Sequence, residues 1–176
     1  MKTVQKFPEV GAKIKKAAGL DWLNHISESN SILSTILAVI HPELHNTGRE
    51  TFNRLRQHDK IQHQDVLRQW TSVFNGISVI RNRMTPPHRD GNSRKQWYDI
   101  LTSIGHYRNC NLKLPGLGLS LEYSPGTVVG LSGGTLKHEV AYFEGERVCY
   151  ACWMRDSVHE WAGVPGRSWM MIDHYR

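Results

Sequence analysis

The chain has few cysteines, no long apolar run and no excess of acid, and each shortage removes a class of protein. Its three cysteines, Cys110, Cys149 and Cys152, are too few and odd in number for a disulfide framework. The densest apolar run, residues 32–40, is interrupted by Ser34 and Thr35 and is too short to cross a bilayer. The first residues lack the apolar core of a secretory leader. Neither an internal repeat nor a low-complexity linker appears. The expectation is an intracellular, soluble monomer whose 176 residues form one domain with a core of ordinary size. Sixteen acidic against 22 basic residues leave a formal charge of +6, compatible with a polyanionic partner. The basic cluster at 13–16 reads more simply as the solvated face of a helix.

What is present changes character near residue 75. Before it, apolar positions recur at helical spacing. Val10, Ile14, Ala17, Ala18 and Leu23 mark a first helix over about 10–26, and Ile32, Leu33, Ile36, Leu37 and Ile40 a second, with Ser29, Asn30 or Ser31 as its cap. Pro42 stops the second and opens a third that carries Phe52 and Leu55, and a fourth is expected over 64–74. After Asn75-Gly76 the period becomes two. Strands are expected over 77–82, 112–114, 119–123, 127–131, 135–143 and 147–155, separated by turns rich in glycine and proline. One more helix is expected after Asn92 or Ser93, with Trp97, Ile100, Leu101 and Ile104 on its apolar side. Its start, with Arg94, either lines a substrate entrance or is a plain solvated turn. The fold class expected is α+β, a sandwich or jelly roll with N-terminal helices that cover one sheet. The helical part spans about 9–74 and the strand-rich part about 77–176.

The chemistry concentrates at Pro86-Pro87-His88-Arg89-Asp90-Gly91. Side chains two apart on an extended segment point the same way, so His88 and Asp90 can share a metal, and the two prolines stiffen the approach. His138, in a distant strand, can complete the two-histidine, one-carboxylate face that leaves iron open to reactants. Arg147 follows nine residues later, beyond the Glu144-Gly145 turn, where its planar fork suits the far carboxylate of a metal-chelating co-substrate. His106, His159 and His174 compete as third ligand, but none is followed by a comparable strand and arginine. Cys149 and Cys152 look like a redox or zinc half-motif; on a strand they point to opposite faces and read as two reduced residues.

Five stretches, residues 71–80, Thr85 to Asp90, 114–118, 125–130 and 138–155, together with Ile40-His41-Pro42-Glu43-Leu44, resemble the TET/JBP family of Fe(II)- and 2-oxoglutarate-dependent dioxygenases, most closely its fungal, mushroom-type branch. The resemblance covers about residues 30–160. It implies a double-stranded β-helix and oxidation of a methyl group on a base of DNA, typically 5-methylcytosine, with N6-methyladenine as a second candidate. It also implies that His88, Asp90 and His138 hold iron, that Arg147 binds 2-oxoglutarate with Arg83 and Cys149 nearby, and that Ser93 and Arg94 lie where relatives contact the base. The duplex base would be flipped into the site, dioxygen is the second co-substrate, and a nuclear location follows. Trp97, Tyr98, Tyr107 and Tyr123 are possible stacking partners, although core packing is the better reading of each. The alternatives are the same iron chemistry on RNA, protein or a small molecule, and a non-catalytic nucleic-acid-binding relative.

Overall fold

The computed structural model describes residues 8–91 and 94–175, the His174 side chain excepted. Contacts divide the chain into two compact units, one of residues up to Val73 plus Ser157–Gly166, the other of Phe74–Asp156 plus Arg167 onward. No helix among the described residues is long and apolar enough to cross a membrane.

The first unit holds α1 (Ala17–His25), α2 (Ser27–Ile40), α3 (Pro42–Gln57) and α4 (Gln64–Gln69). α3 buries Leu44, Thr47, Gly48, Thr51, Phe52 and Leu55, a stripe at helical spacing. It is capped by His41, whose Nδ1 accepts the Leu44 amide hydrogen at 3.2 Å, with Pro42 pre-shaped for the first turn. α1 begins seven residues later than the apolar spacing suggests. The turn before it crosses Gly19 so closely that a Cβ there would lie 2.5 Å from the Lys13 carbonyl oxygen. α4 also stops short of the expected 74, because Arg56 donates to the Leu67 and Trp70 carbonyls at 3.0 and 2.9 Å, relieving the helix end of carbonyls that further turns would otherwise satisfy. α2 starts at Ser27, ahead of the three expected caps.

The second unit contains β1 (Gly76–Arg81), β2 (Thr85–His88), β3 (Asp99–Arg108), β4 (Asn111–Leu114), β5 (Leu119–Glu122), β6 (Val128–Leu131), β7 (His138–Val140) and β8 (Glu144–Trp153), after which a short helix, α5 (Asp156–Trp161), begins. They form two four-stranded antiparallel sheets, ordered β1-β8-β3-β6 and β2-β7-β4-β5. This is the α+β jelly-roll plan, which brings strands far apart in sequence side by side. Tyr107, Cys110, Leu112, Tyr123, Val140 and Phe143 pack as one buried cluster.

The stretch expected as a helix after Asn92 is instead β3. Ile100, Leu101 and Ile104 fit a helical stripe as well as a strand, and a short apolar run does not discriminate. The strand wins because β3 is paired along both edges, by β8 and β6, and its Ile, Thr and Tyr residues suit a pleated, packed surface. The proposed caps Asn92 and Ser93 lie outside the described residues.

Candidate active site

β2 and β7 are neighbours, and their register sets His88 directly opposite His138. The ring centroids are 4.3 Å apart. Asp90, two residues past His88, turns its carboxylate between them: Oδ1 is 3.6 Å from His88 Nε2 and Oδ2 is 3.8 Å from His138 Nε2. These separations are too long for direct hydrogen bonds and short enough for one ion to touch all three groups. One ligand atom from each residue lies within 4.8 Å of the others.

Local backbone bonds prepare the donors. His88 Nδ1 is 2.9 Å from the Pro86 carbonyl oxygen and His138 Nδ1 is 3.0 Å from that of Leu136. Each ring therefore donates its Nδ1–H to a carbonyl and presents the Nε2 lone pair toward the carboxylate, the tautomer a metal ligand needs. The turn itself is stitched to the loop before β7, since the Asp90 amide donates to the Gly133 carbonyl at 3.0 Å and Arg89 Nε to that of Thr135 at 2.9 Å. Gly133 is required by close approach: a Cβ there would meet Asp90 Oδ2 at 2.1 Å. Two imidazoles and one carboxylate with these supports fit a divalent iron and leave positions open for reactants.

These residues open on a cavity of about 270 Å³ whose far wall is β8. Counting by twos along that strand, Arg147, Cys149, Ala151 and Trp153 face the cavity, with Arg155 just beyond the strand. Arg147 is 3% exposed and surrounded by aromatic rings, its guanidinium carbon 5.1 Å from the centre of Tyr123, 5.6 Å from Phe143 and 5.9 Å from Tyr107. Its buried Nε lacks a hydrogen-bond partner, and among the described residues no carboxylate pairs with it. The rings' negative faces soften the cost of burying this cation, but an unsatisfied charged donor on a cavity wall is suited to an incoming carboxylate. The Cys149 thiol lies 3.8 Å from the Tyr123 hydroxyl, and burial pushes the pKa values of both groups up, so each stays protonated at neutral pH. Cys152 is on the opposite face of β8, reduced and buried, its thiol pushed up to about 12 chiefly by desolvation.

The remaining sequence-selected residues lie elsewhere. Arg83 is exposed in the connection between β1 and β2 and does not line the cavity. Arg94 is 2.6 Å from Asp156 and stacks over Trp97, so its charge is engaged within the protein. Ser93 falls outside the described residues. His159 is bonded to Thr51 and His106 is exposed on β3, so neither joins the triad. Trp97 and Tyr107 are core residues, as packing considerations favour, whereas buried Tyr123 also forms part of the cavity wall. Sequence reasoning passed over Asp99, Trp153 and Arg155, all of which line the cavity. Trp153 on β8 and Arg155 just past it were within reach, because the alternation that starts at Arg147 continues through them.

The Tet_JBP family model, described as the oxygenase domain of the 2OGFeDO superfamily, matches residues 8–156. The chain belongs to this family. The cofactors of the superfamily are Fe(II) and 2-oxoglutarate. Among solved structures the Tet_JBP chain is similar to NgTET1, determined in complex with 5mC DNA, with a TM-score of 0.63 at 18% identity. The match covers 96% of this chain and 62% of that one, and at this identity it shows a shared fold. No curated protein matches the sequence.

Proposed function

We propose that this Tet_JBP dioxygenase oxidises the methyl group of a modified base in duplex DNA, 5-methylcytosine foremost and N6-methyladenine second, with both units serving one catalytic domain. In this reading His88, Asp90 and His138 hold Fe(II), and Arg147 takes the distal carboxylate of 2-oxoglutarate. The sequence stretches quoted above favour the fungal branch of the family, and a nuclear location follows from the substrate.

The observation that carries the reading is the single cavity joining the three ligands to Arg147 on one side and to Trp153 on the other. When bound, iron with 2-oxoglutarate and dioxygen supplies the oxidising chemistry. The chain's own residues orient and enclose. The Nδ1–H bonds fix both imidazoles, and the aromatic cage keeps water from the Arg147 guanidinium, whose Nε is left without a partner, so that a carboxylate there meets a desolvated cation. Trp153, fixed by its indole N–H to the Ser78 hydroxyl at 3.0 Å and stacked under Arg155, offers a flat face on which an extruded base can rest. A cavity this small admits one base rather than a duplex, hence the need for flipping. The charge of +6 suits a phosphate backbone, and NgTET1 was solved with methylated DNA.

The test is anaerobic loading with Fe(II) and 2-oxoglutarate, admission of air, and mass spectrometry of duplex DNA carrying 5-methylcytosine or N6-methyladenine. Oxidised base that depends on both cofactors is the expected result. Succinate release with unchanged DNA would move the substrate elsewhere.

A further inference from the structure

The first unit carries a groove for which the dioxygenase reading has no use. Its volume is about 430 Å³, it lies between α2, α3 and the segment after α4, and none of the residues lining it is acidic. Along α3, His45, Arg49, Asn53 and Arg56 recur at intervals of four, four and three, which sets them on one face of the helix. The floor is apolar, made by buried Phe52 and Trp70 with ring centroids 6.2 Å apart.

The donors of this face are not all spent. Arg49 is exposed and has no hydrogen bond or ion pair among the described residues. Arg56 gives Nε and Nη2 to the Leu67 and Trp70 carbonyls at 3.0 and 2.9 Å, which leaves Nη1 for another acceptor. Burial pulls the Arg56 pKa down and no acid pushes it back. The pKa of His45 is lowered too, by burial foremost and also by the Arg49 charge, against a bond to Asn46 that raises it. Positive charge therefore accumulates here without compensation. On the opposite bank Ser31, Thr35 and Thr71 give their hydroxyl protons to the carbonyls of Ser27 and Ser31, so recognition of a charge falls to α3. Arg54, by contrast, is paired with Glu50 and donates to the Ala162 and Gly163 carbonyls.

Resting on the reading that DNA is the substrate, we propose that the groove between α2 and α3 binds the phosphate backbone of the nucleic acid through Arg49, with Asn53 and the remaining Nη1 donors of Arg56 beside it. A guanidinium fork matches two oxygens of a phosphate, and an apolar floor strengthens the attraction. Because Ser31, Thr35, Arg49, Asn53 and Thr71 are exposed, the groove is open to a chain passing over it, which favours a strand over a small enclosed ion. Such a contact adds affinity and reads no base.

The experiment measures binding of an unmethylated DNA duplex to the metal-free full chain over a series of salt concentrations. Wild type is compared with Arg49→Gln and with Arg68→Gln, which removes the same charge from an exposed position of α4 outside the groove. Each phosphate contact contributes about 0.9 to the slope of log affinity against log salt, so Arg49→Gln should flatten the slope by about that amount and Arg68→Gln should not. At low salt Arg49→Gln should bind about two- to fivefold more weakly, equally on methylated and unmethylated duplexes, with iron uptake unchanged. Asn53→Asp, which brings an acid into the groove from an exposed position, should weaken binding similarly. A slope for Arg49→Gln equal to that of wild type, or an equal loss in Arg68→Gln, would overturn the inference and leave the proposed function standing. Arg49-dependent binding of inorganic phosphate with an unchanged DNA slope would also overturn it, since the groove would then take a free ion. Wild-type protein that neither binds the duplex nor oxidises a methylated base in the mass-spectrometric assay would overturn both.

Discussion

The two ends of the cavity are built on different principles. At the metal end, the side chains of His88 and Asp90 are 36% and 40% exposed, borne by a four-residue strand and the turn after it. Little packing holds these two; their directions come from the His88 Nδ1–H bond to Pro86 and the Asp90 amide to Gly133, while His138 opposite them is buried and has its own Nδ1–H bond to Leu136. At the other end, Arg147 is 3% exposed on a ten-residue strand, held by the faces of three rings. In the proposed reading the open end admits reactants, and the closed end couples co-substrate binding to the core of the jelly roll.

This contrast can be broken most severely at Asp90. Asp90→Ala should abolish iron uptake, measured by metal analysis after desalting, and with it turnover, while stability stays within about 0.5 kcal/mol because the site is half exposed. A large loss of stability would mean that the open end is structural after all.

Arg147→Met comes next. Each charge-assisted hydrogen bond to a carboxylate is worth about 1.5–3 kcal/mol, so the 2-oxoglutarate requirement should rise by about tenfold or more. The stability of the variant without co-substrate should be equal or higher, since a buried cation without a carboxylate partner is replaced by an apolar chain of similar length. Thermal unfolding at a fixed 2-oxoglutarate concentration should show wild-type protein gaining more than the variant.

Gly133→Ala sharpens the comparison without touching a ligand. The new methyl group displaces the Asp90 carboxylate, and iron affinity should fall by about 10- to 100-fold, as it does when a supporting group of a metal site is lost. Unchanged affinity in a metal titration would show that the carboxylate has freedom the backbone bonds do not suggest.

The smallest effect is expected at Glu144, at the far end of the β3–β8 ladder. Hydrogen bonds from Arg108, Asn109 and Tyr142 hold its carboxylate at about 2, below its ordinary 4.5. A carboxylate whose folded pKa is depressed adds stability above its unfolded pKa and loses it as pH falls toward the folded one. The modest advantage of wild type over Glu144→Gln in thermal melts should thus be full at neutral pH, shrink below about pH 4.5 and vanish near pH 2. A difference independent of pH would mean that the hydrogen-bonded neutral form serves equally well.

The metal end was the more legible in sequence, because its parts are local. A histidine and an aspartate two residues apart, after two prolines, imply a shared direction before any fold is known. His138 was found through its strand and the arginine beyond it, and the register of β2 against β7 supplies what no local pattern contains. The closed end was legible only in Arg147. Its cage comes from β3, from the connection after β5 and from the turn before β8, so no window of sequence displays Tyr107, Tyr123 and Phe143 together. The helix expected at 92–104 failed for the same reason. Its apolar residues fit both periods, and the decision came from β6 and β8 on either edge. Asp99 was missed with it, because in the middle of a helix it would not face the same side as residues two apart on a strand. Arg83 and Arg94 were singled out by position along the chain, and in the structure one is exposed between strands and the other is paired with Asp156.

The central claim is that the open triad and the caged arginine grip opposite ends of one co-substrate. Anaerobic calorimetric titration of 2-oxoglutarate tests it most directly, using wild type, Asp90→Ala and Arg147→Met, each with and without Fe(II). The account predicts tight binding for wild type with Fe(II) alone among the six samples, with both variants weakened by about tenfold or more. Equal affinity in all six would contradict it.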